Sequence, residues 1–378
     1  MKLQLKRLVL FLLLAAGSLS SHGQGSLTPP GAPAASMKSL DQIEARIPIA
    51  SGPFFIFQPG AYYLTTNLTV SSVTAISIAT NNVTLDLNGF TLATTSASAA
   101  GYGILINKGL RNITILNGFI QGGATNNGAG GYSGSGFGEG ISYSGTAPVN
   151  VRVTGISVAG CLSDGINLGT DNSTVVEACT VQTVGGNGLV ASTIKNSLAA
   201  DCGSYGIIGD QISDCRGIST SGGAGVLANS SALNCYGSSS SSYGLYALSA
   251  QNCQGVSVTG NGLFASTAQN CYGTSTGGIG ISAITTQNCY GKSVSNFGIY
   301  APSALNCTGL SSSSYGVYSY GSAQNCFGQS STGTGLYAYV ASFCTAYRLG
   351  GTAIQAIIAN GCFNSAGTNI ITYKYNMP

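Results

Sequence analysis

The chain has no tryptophan, three methionines and a single histidine among its 378 residues. That histidine, His22, falls in the leader described below, so the exported chain is left without an imidazole for acid–base or metal chemistry. Charge is scarce as well, at 6% of residues. From Gly217 to Pro378 there is no acidic side chain, and the basic ones are Lys292, Arg348 and Lys374. Once the leader is removed, ten Lys/Arg face ten Asp/Glu. A nucleic-acid binder needs a basic patch to displace counterions, and none is present. After the leader no run of about eighteen apolar residues occurs, which excludes a membrane-spanning helix there. No cofactor and no metal is expected from such a residue supply.

Lys2, Lys6 and Arg7 precede an apolar stretch from Leu8 to Ala16 and a small-residue site at Ser21-His22-Gly23. This is the pattern of an export signal over 1–23, so the mature protein is expected to be secreted or held at the cell surface of a bacterium. Residues 24–46 read as a Pro-rich linker (Pro29, Pro30, Pro33) followed by a capping helix. Ser39-Leu40-Asp41-Gln42 resembles a capping box, and Met37, Leu40 and Ile43 lie at helical spacing. The remainder, 47–378, reads as one domain, irregular over 47–160 and regular over 161–378.

The regularity is marked by cysteine. Eleven of the twelve cysteines keep one beat: Cys161, Cys179, Cys215, Cys235, Cys253, Cys271, Cys289, Cys307, Cys326, Cys344 and Cys362 are spaced by 18 to 20 residues, with one interval of 36 whose missing beat is Ser197. Only Cys202 is off the beat. A fixed short period sustained over half a chain signals a solenoid, in which each coil buries its inner face by stacking on the next. Asn234-Cys235-Tyr236-Gly237-Ser238-Ser239 aligns with Asn252-Cys253-Gln254-Gly255-Val256-Ser257 and with Asn270-Cys271-Tyr272-Gly273-Thr274-Ser275. Strand side chains alternate faces, so the Cys, Gly, Ser set points inward. Stacked coils hold equivalent Cβ atoms about 4.8 Å apart, longer than a disulfide prefers, which favours a ladder of free buried thiols.

Nine residues past each cysteine a glycine recurs (Gly244, Gly262, Gly280, Gly298, Gly316, Gly335) and reads as a chain turn. The Asn column beside the cysteines suits a left-handed corner with stacked amides. About 15 coils at about 4.8 Å would make a narrow rod roughly 70 Å long.

Upstream the texture is of longer coils with inserted loops, the largest being the Gly-rich run 122–140, with no hairpin signalled. Four segments there carry a resemblance: Pro29-Pro30-Gly31-Ala32-Pro33-Ala34, Met37-Lys38-Ser39-Leu40-Asp41-Gln42-Ile43-Glu44, Gly60-Ala61-Tyr62-Tyr63-Leu64-Thr65 and Val83-Thr84-Leu85-Asp86-Leu87-Asn88-Gly89-Phe90. With them the chain resembles the pectin-lyase-like superfamily of right-handed parallel β-helices, and more narrowly exported bacterial β-helix repeat proteins of undefined function. The resemblance implies an all-β fold, a single-stranded right-handed parallel β-helix. Its polysaccharide lyases imply a calcium-binding carboxylate cluster with an Arg or Lys base. Its galacturonan hydrolases imply close aspartates with a histidine and an Arg-x-Lys element. Neither pattern carries over to this chain, and fold does not confer activity.

Two residue sets remain as candidate sites. Asp164, Asp171, Glu177, Asp201, Asp210 and Asp214 gather six of the ten acids within a few coils, where an acid/base pair for glycoside hydrolysis would have to be built. Against this, Glu177 and Lys195 share a coil position and suit a surface ion pair, and Asp214 replaces a corner Asn. The second set is aromatic: Tyr246, Phe264, Tyr300, Tyr318 and Tyr337 eleven residues past the cysteines, interrupted by Ser282, and Tyr236, Tyr272, Tyr290 and Phe327 one residue past them. Outward rows of this kind suit sugar rings or a partner surface, and they also simply stack coil on coil. The expectation is an exported, non-catalytic binding or surface-structural solenoid that contacts extracellular polysaccharide or another cell-surface component. The alternative is a divergent polysaccharide lyase or glycoside hydrolase using the Asp164–Asp214 region. Self-association through the acid-free half stays open.

Overall fold

The computed structural model describes residues 45–72 and 74–377. The expected leader and linker with capping helix lie outside the described residues but for Ala45 and Arg46. Among the described residues there is no α-helix, and every strand pairing but one is parallel. The chain winds as an all-β solenoid of about 18 turns, against the expected 15.

Each regular coil lays one strand segment into each of three parallel sheets. Ser249–Gln251 belongs to sheet A, Gln254–Ser257 to sheet B and Leu263–Ala265 to sheet C, after which Thr267–Gln269 returns to sheet A one rung on. The register pairs like with like: Ala250 with Ala268, Gly255 with Gly273, Leu263 with Ile281. Three corners separate the sheets, and their chemistry differs.

The corner from A to B is a single left-handed residue. Asn234, Asn252, Asn270 and Asn288 all have φ 53° there, and Asp214 has φ 55°. Asn tolerates this conformation at low cost, and its side chain is used as well. Asn252 Nδ2 donates to Asn234 Oδ1 at 3.2 Å, Asn270 to Asn252 at 3.1 Å and Asn288 to Asn270 at 3.1 Å. The ladder runs on through Asn306 to Asn325 and starts on Asp214, which accepts from Asn234 at 2.9 Å. The asparagine column is therefore structural, as expected.

The core is layered by row. All twelve cysteines are free and buried. Cys253 Sγ lies 3.1 Å from the carbonyl oxygen of Gln251 and 3.3 Å from that of Ala232 in the preceding coil, and the same geometry repeats at Cys271 and Cys289. Ser197, on the missing beat, makes the equivalent bond with its hydroxyl, donating to Lys195 O at 2.6 Å. The off-beat Cys202 belongs to another inward row, that of Ser219, Ser239 and Ser257 on sheet B. Burial holds Cys161 up at about 12 and Cys179 at about 11, so both are neutral thiols at ordinary pH.

The recurring glycine past each cysteine sits at a bend, as expected, and it has a second role besides. Gly244 and Gly262 stand just before the sheet C strands without a positive φ. Their role is close approach: a Cβ on Gly237 would meet Gly244 O at 2.0 Å, and one on Gly255 would meet Gly262 O at 2.0 Å. Sheets B and C are thus in backbone contact along the regular half. A correction concerns the Gly-rich insertion. It contains the one antiparallel hairpin among the described residues, Gly123–Asn126 with Tyr132–Ser135.

Candidate functional site

The six acidic residues close in sequence are dispersed around the girth of the solenoid. Asp164 stands in the turn from sheet B to sheet C, where Asn187 N and Asn167 Nδ2 each donate to it at 2.8 Å. Asp171 and Asp210 meet at the corner from C to A, with the Asp171 N–H donating to Asp210 Oδ2 at 3.1 Å and Asn229 Nδ2 donating to Asp210 Oδ1 at 2.9 Å. A shallow cleft of about 260 Å³ lies over that pair, bounded by Ser173, Ser192, Thr193 and Gln211. Glu177 projects from sheet A; it does pair in register with Lys195, but the ion pair it forms is with Arg152, at 3.4 Å. Asp201 is on sheet B, and Asp214 is the corner residue that starts the amide ladder.

Asp201 holds the inserted hairpin. It accepts hydrogen bonds from Asn126 Nδ2 at 2.6 Å and from the Tyr132 hydroxyl at 2.8 Å, and the same hydroxyl lies 2.7 Å from Thr220 Oγ1. Burial alone would raise its pKa, but the bonds from Asn126, Tyr132 and Thr183 outweigh that and hold Asp201 below the usual carboxylate range. The hairpin is thereby strapped down over the following coils. This carboxylate is committed to structure.

Sequence reasoning missed Glu139. It occupies the same turn position as Asp164 one coil earlier, since Gly140 N donates to Asp164 O. Burial, with the nearby Asp164 charge as a smaller cause, raises the Glu139 pKa. The signal that would have found it is the glycine that follows each of these positions, Gly140 and Gly165, which is the same glycine as Gly244 in later coils. Among the described residues no group of three or more His, Cys, Asp or Glu side chains is arranged to hold a metal ion.

The aromatic rows form as expected on the outer faces, and they are half-buried. On sheet C, Tyr246 stacks on Phe264 with ring centroids 5.3 Å apart and planes 9° apart. Beyond the Ser282 break, Tyr300 stacks on Tyr318 (5.6 Å, 3°) and Tyr318 on Tyr337 (4.7 Å, 10°). On sheet B, Tyr272 stacks on Tyr290 at 4.9 Å, Tyr236 lies under the Arg216 guanidinium at 4.9 Å, and Phe327 continues the row after Thr308. Because the rings stack along the axis, their faces are spent on one another and their edges point outward.

Rings outside the columns change that picture. From the turn before sheet C, Phe297 stacks on Tyr318 and Tyr315 meets it edge-on; from the corner after it, Tyr320 tilts against Tyr300 and Tyr339 meets Tyr337 edge-on. Tyr320 and Tyr339 are the most exposed of the group, at 42% and 47%. Seven rings over three coils therefore make one continuous aromatic surface. Burial raises the Tyr318 and Tyr337 hydroxyls above the ordinary tyrosine value, so they stay protonated donors. A concavity of about 750 Å³ follows the corner from A to B and is lined by Asp214, Arg216, Asn234, Tyr236, Asn252 and Gln254 among others.

This three-sheeted winding, with its one-residue asparagine corner, is an all-β parallel β-helix. No protein-family model matches the chain, and no curated protein matches it. Among solved structures it is similar to tailspike protein 2 of the Escherichia coli O157:H7 bacteriophage CAB120, at 14% identity over 84% of this chain and with a TM-score of 0.29. The chain spans 37% of that tailspike. It is also similar to the polygalacturonase of Erwinia carotovora ssp. carotovora, at 11% identity over 83% of this chain and 87% of the enzyme, with a TM-score of 0.25. No helix among the described residues is long and apolar enough to cross a membrane.

Proposed function

We propose that this chain is an exported, non-catalytic β-solenoid that binds uncharged extracellular polysaccharide through the aromatic surface of its regular half. One observation carries the reading: the seven-ring cluster from Phe297 to Tyr339 is preorganised by its own stacking and stands in a region without acids. Rings already immobilised lose little entropy on contact, and tyrosine offers an apolar body with a polar tip. Tyr320 and Tyr339 supply ring faces, and the stacked Tyr300, Tyr318 and Tyr337 supply hydroxyl edges. On sheet B, Tyr236, Tyr272, Tyr290 and Phe327 extend the contact, and Tyr246 with Phe264 extends it on sheet C.

The test is retention of the protein on immobilised neutral glycans, compared with Tyr318→Ala and Tyr320→Ala at matched folding. Retention lost in these variants supports the reading, and unaltered retention removes it. A second reading, a carbohydrate-active enzyme, has one specific observation in its favour: Glu139, whose pKa burial raises, stands one coil from the hydrogen-bonded carboxylate of Asp164. Such a pair has the opposed environments of a general acid and its partner. Release of reducing or unsaturated ends from any glycan, abolished by Glu139→Gln, would establish that reading over the first.

A further inference from the structure

The outer face of sheet A carries a regular polar array, and no side-chain hydrogen bond among the described residues engages its glutamines. This face repeats two residues per coil. One row is Ser231, Ser249, Thr267, Thr285, Ser303 and Ser322, in register from rung to rung. The other is Gln251, Gln269 and Gln287, then Leu305, then Gln324. All three of the consecutive glutamines are exposed. Their amides contrast with the asparagine ladder at the next corner, where each amide is engaged with its neighbour. No hydrogen bond from Gln251, Gln269 or Gln287 side chains to any described residue occurs, so donors and acceptors stand open on every rung.

The array lies in a depression. A groove of about 340 Å³ is lined by Ser249, Gln251, Thr267, Gln269, Thr285 and Gln287, and it continues to Ser303. Along one edge runs the corner from C to A, where Leu248 and Ile284 are 51% and 59% exposed. The groove thus joins an apolar rim to a floor of hydroxyls and amides, with no charged side chain in its lining. A polymer fitting it must be uncharged, must repeat hydrogen-bonding groups along its length, and must offer a less polar flank. A solvated surface with no partner would ordinarily mix in Lys and Glu, which here are absent from both rows.

We infer that this groove on sheet A is a second binding site, which seats a strand of neutral polysaccharide running along the solenoid axis, with Gln251, Gln269 and Gln287 bonding sugar hydroxyls and Leu248 and Ile284 meeting the C–H face of the rings. This inference rests on the polysaccharide-binding reading but assigns the contact to a different face. From Ser249 to Ser303 the site spans three rung steps, about 14 Å. Occupancy therefore gains with oligomer length until that span is filled. Having no charge, the contact is insensitive to salt.

The experiment measures cellohexaose, mannohexaose and xylohexaose binding by calorimetry to the full chain, with the matching disaccharides as short probes and oligogalacturonate as a charged control. Expected is a neutral hexasaccharide that binds better than its disaccharide, and that weakens about tenfold in Gln269→Ala/Gln287→Ala, two lost hydrogen bonds at about 1 kcal/mol or less each. Thr267→Val/Thr285→Val, which keeps shape, should weaken it as well. Both pairs are exposed, so unchanged melting is the control for folding. If binding survives both double variants and is lost in Tyr318→Ala, the groove is not a site while the aromatic reading stands. If oligogalacturonate binds equally well, or no glycan binds the wild type, the inference fails, in the latter case together with the reading beneath it.

Discussion

The upstream and downstream coils share one winding but fill it differently. On sheet A the inward row reads Leu85, Ile115, Val153, Val176, Ile194 and Ile212, then Ala232, Ala250 and Ala268. On sheet B it reads Ile120, Val158, Val181 and Ala199, then Gly217, Gly237, Gly255 and Gly273. Sheet C does not taper: Ile166, Leu189, Ile207, Val226, Leu245 and Leu263 persist. The two shrinking rows lose volume over the same few coils, and the walls follow them inward until backbones touch. Interiors are close-packed, so side-chain volume, rather than coil length, sets the local width. With less apolar surface per coil, the narrow half depends more on backbone ladders, corner amides and thiol–carbonyl contacts. The loops and charges of the wide half give way to flat uncharged faces.

The largest effect should come from Gly273→Ala, whose Cβ would meet Gly280 O at 2.2 Å. A backbone atom cannot give way as a side chain can, so a loss of more than about 3 kcal/mol in urea unfolding is expected. Val181→Ala, in the same row where the core is wide, should cost about 1–3 kcal/mol. A Gly273→Ala protein as stable as wild type would break the narrow-core account. Next, Ile194→Ala should cost about 2–5 kcal/mol by leaving a cavity, while the reverse change, Ala250→Leu, should cost about 1–3 kcal/mol by overpacking. Equal tolerance of both would mean that the width does not track volume.

Asn270→Ala in the amide ladder should lose about 1–2 kcal/mol, from the left-handed φ and the broken amide bond, and Asn270→Gly less. At Ala178, whose φ is already 52° without a side-chain amide, substitution by Asn should be neutral or stabilising. The smallest effect concerns the strapped hairpin. The pKa of Asp201 is lowered in the fold, so the stability it contributes is complete above its unfolded value and is lost as pH falls through its folded value. Proteolysis between Asn127 and Gly131 should quicken at acid pH in the wild type. In Asp201→Asn the rate should lose that acid dependence. Glu139 has the opposite sign, its contribution being present in acid and lost as pH rises through its raised pKa.

Much of the downstream fold was legible because its repeat is short and chemically conservative. The Cys, Gly and Ser alternation identified the inward face, and Ser197 could be placed as a substitute thiol from its beat alone. The glycine of each coil was visible and its place at a bend was legible, but its part in backbone approach was not. A glycine needed for a turn and one needed for backbone approach are the same letter, and only the Gly244 carbonyl facing Gly237 reveals the second use. The hairpin of the Gly-rich insertion was missed because Gly123–Asn126 and Tyr132–Ser135 lack alternating apolar residues; Asp201, far along the chain, pins it.

The sites show the same division. Aromatic rows were readable as columns, since one period carries Tyr300 onto Tyr318 and Tyr337. Their stacking coil on coil was one of the two uses read from the columns, but Tyr320 and Tyr339, which join the cluster across a corner, were not legible. Sequence proximity grouped six acids of which the winding brings Asp171 and Asp210 together and disperses the rest, and it omitted Glu139, which the winding brings to Asp164.

By itself the sequence determined the winding, the inward face and the structural use of Asn and Cys, because each is local periodicity repeated through stacking. Only the tertiary structure decided how wide the core is, which acids meet and which faces stay unpaired. Those depend on where separate coils bring their side chains around a closed perimeter, a distance that no spacing along the chain encodes.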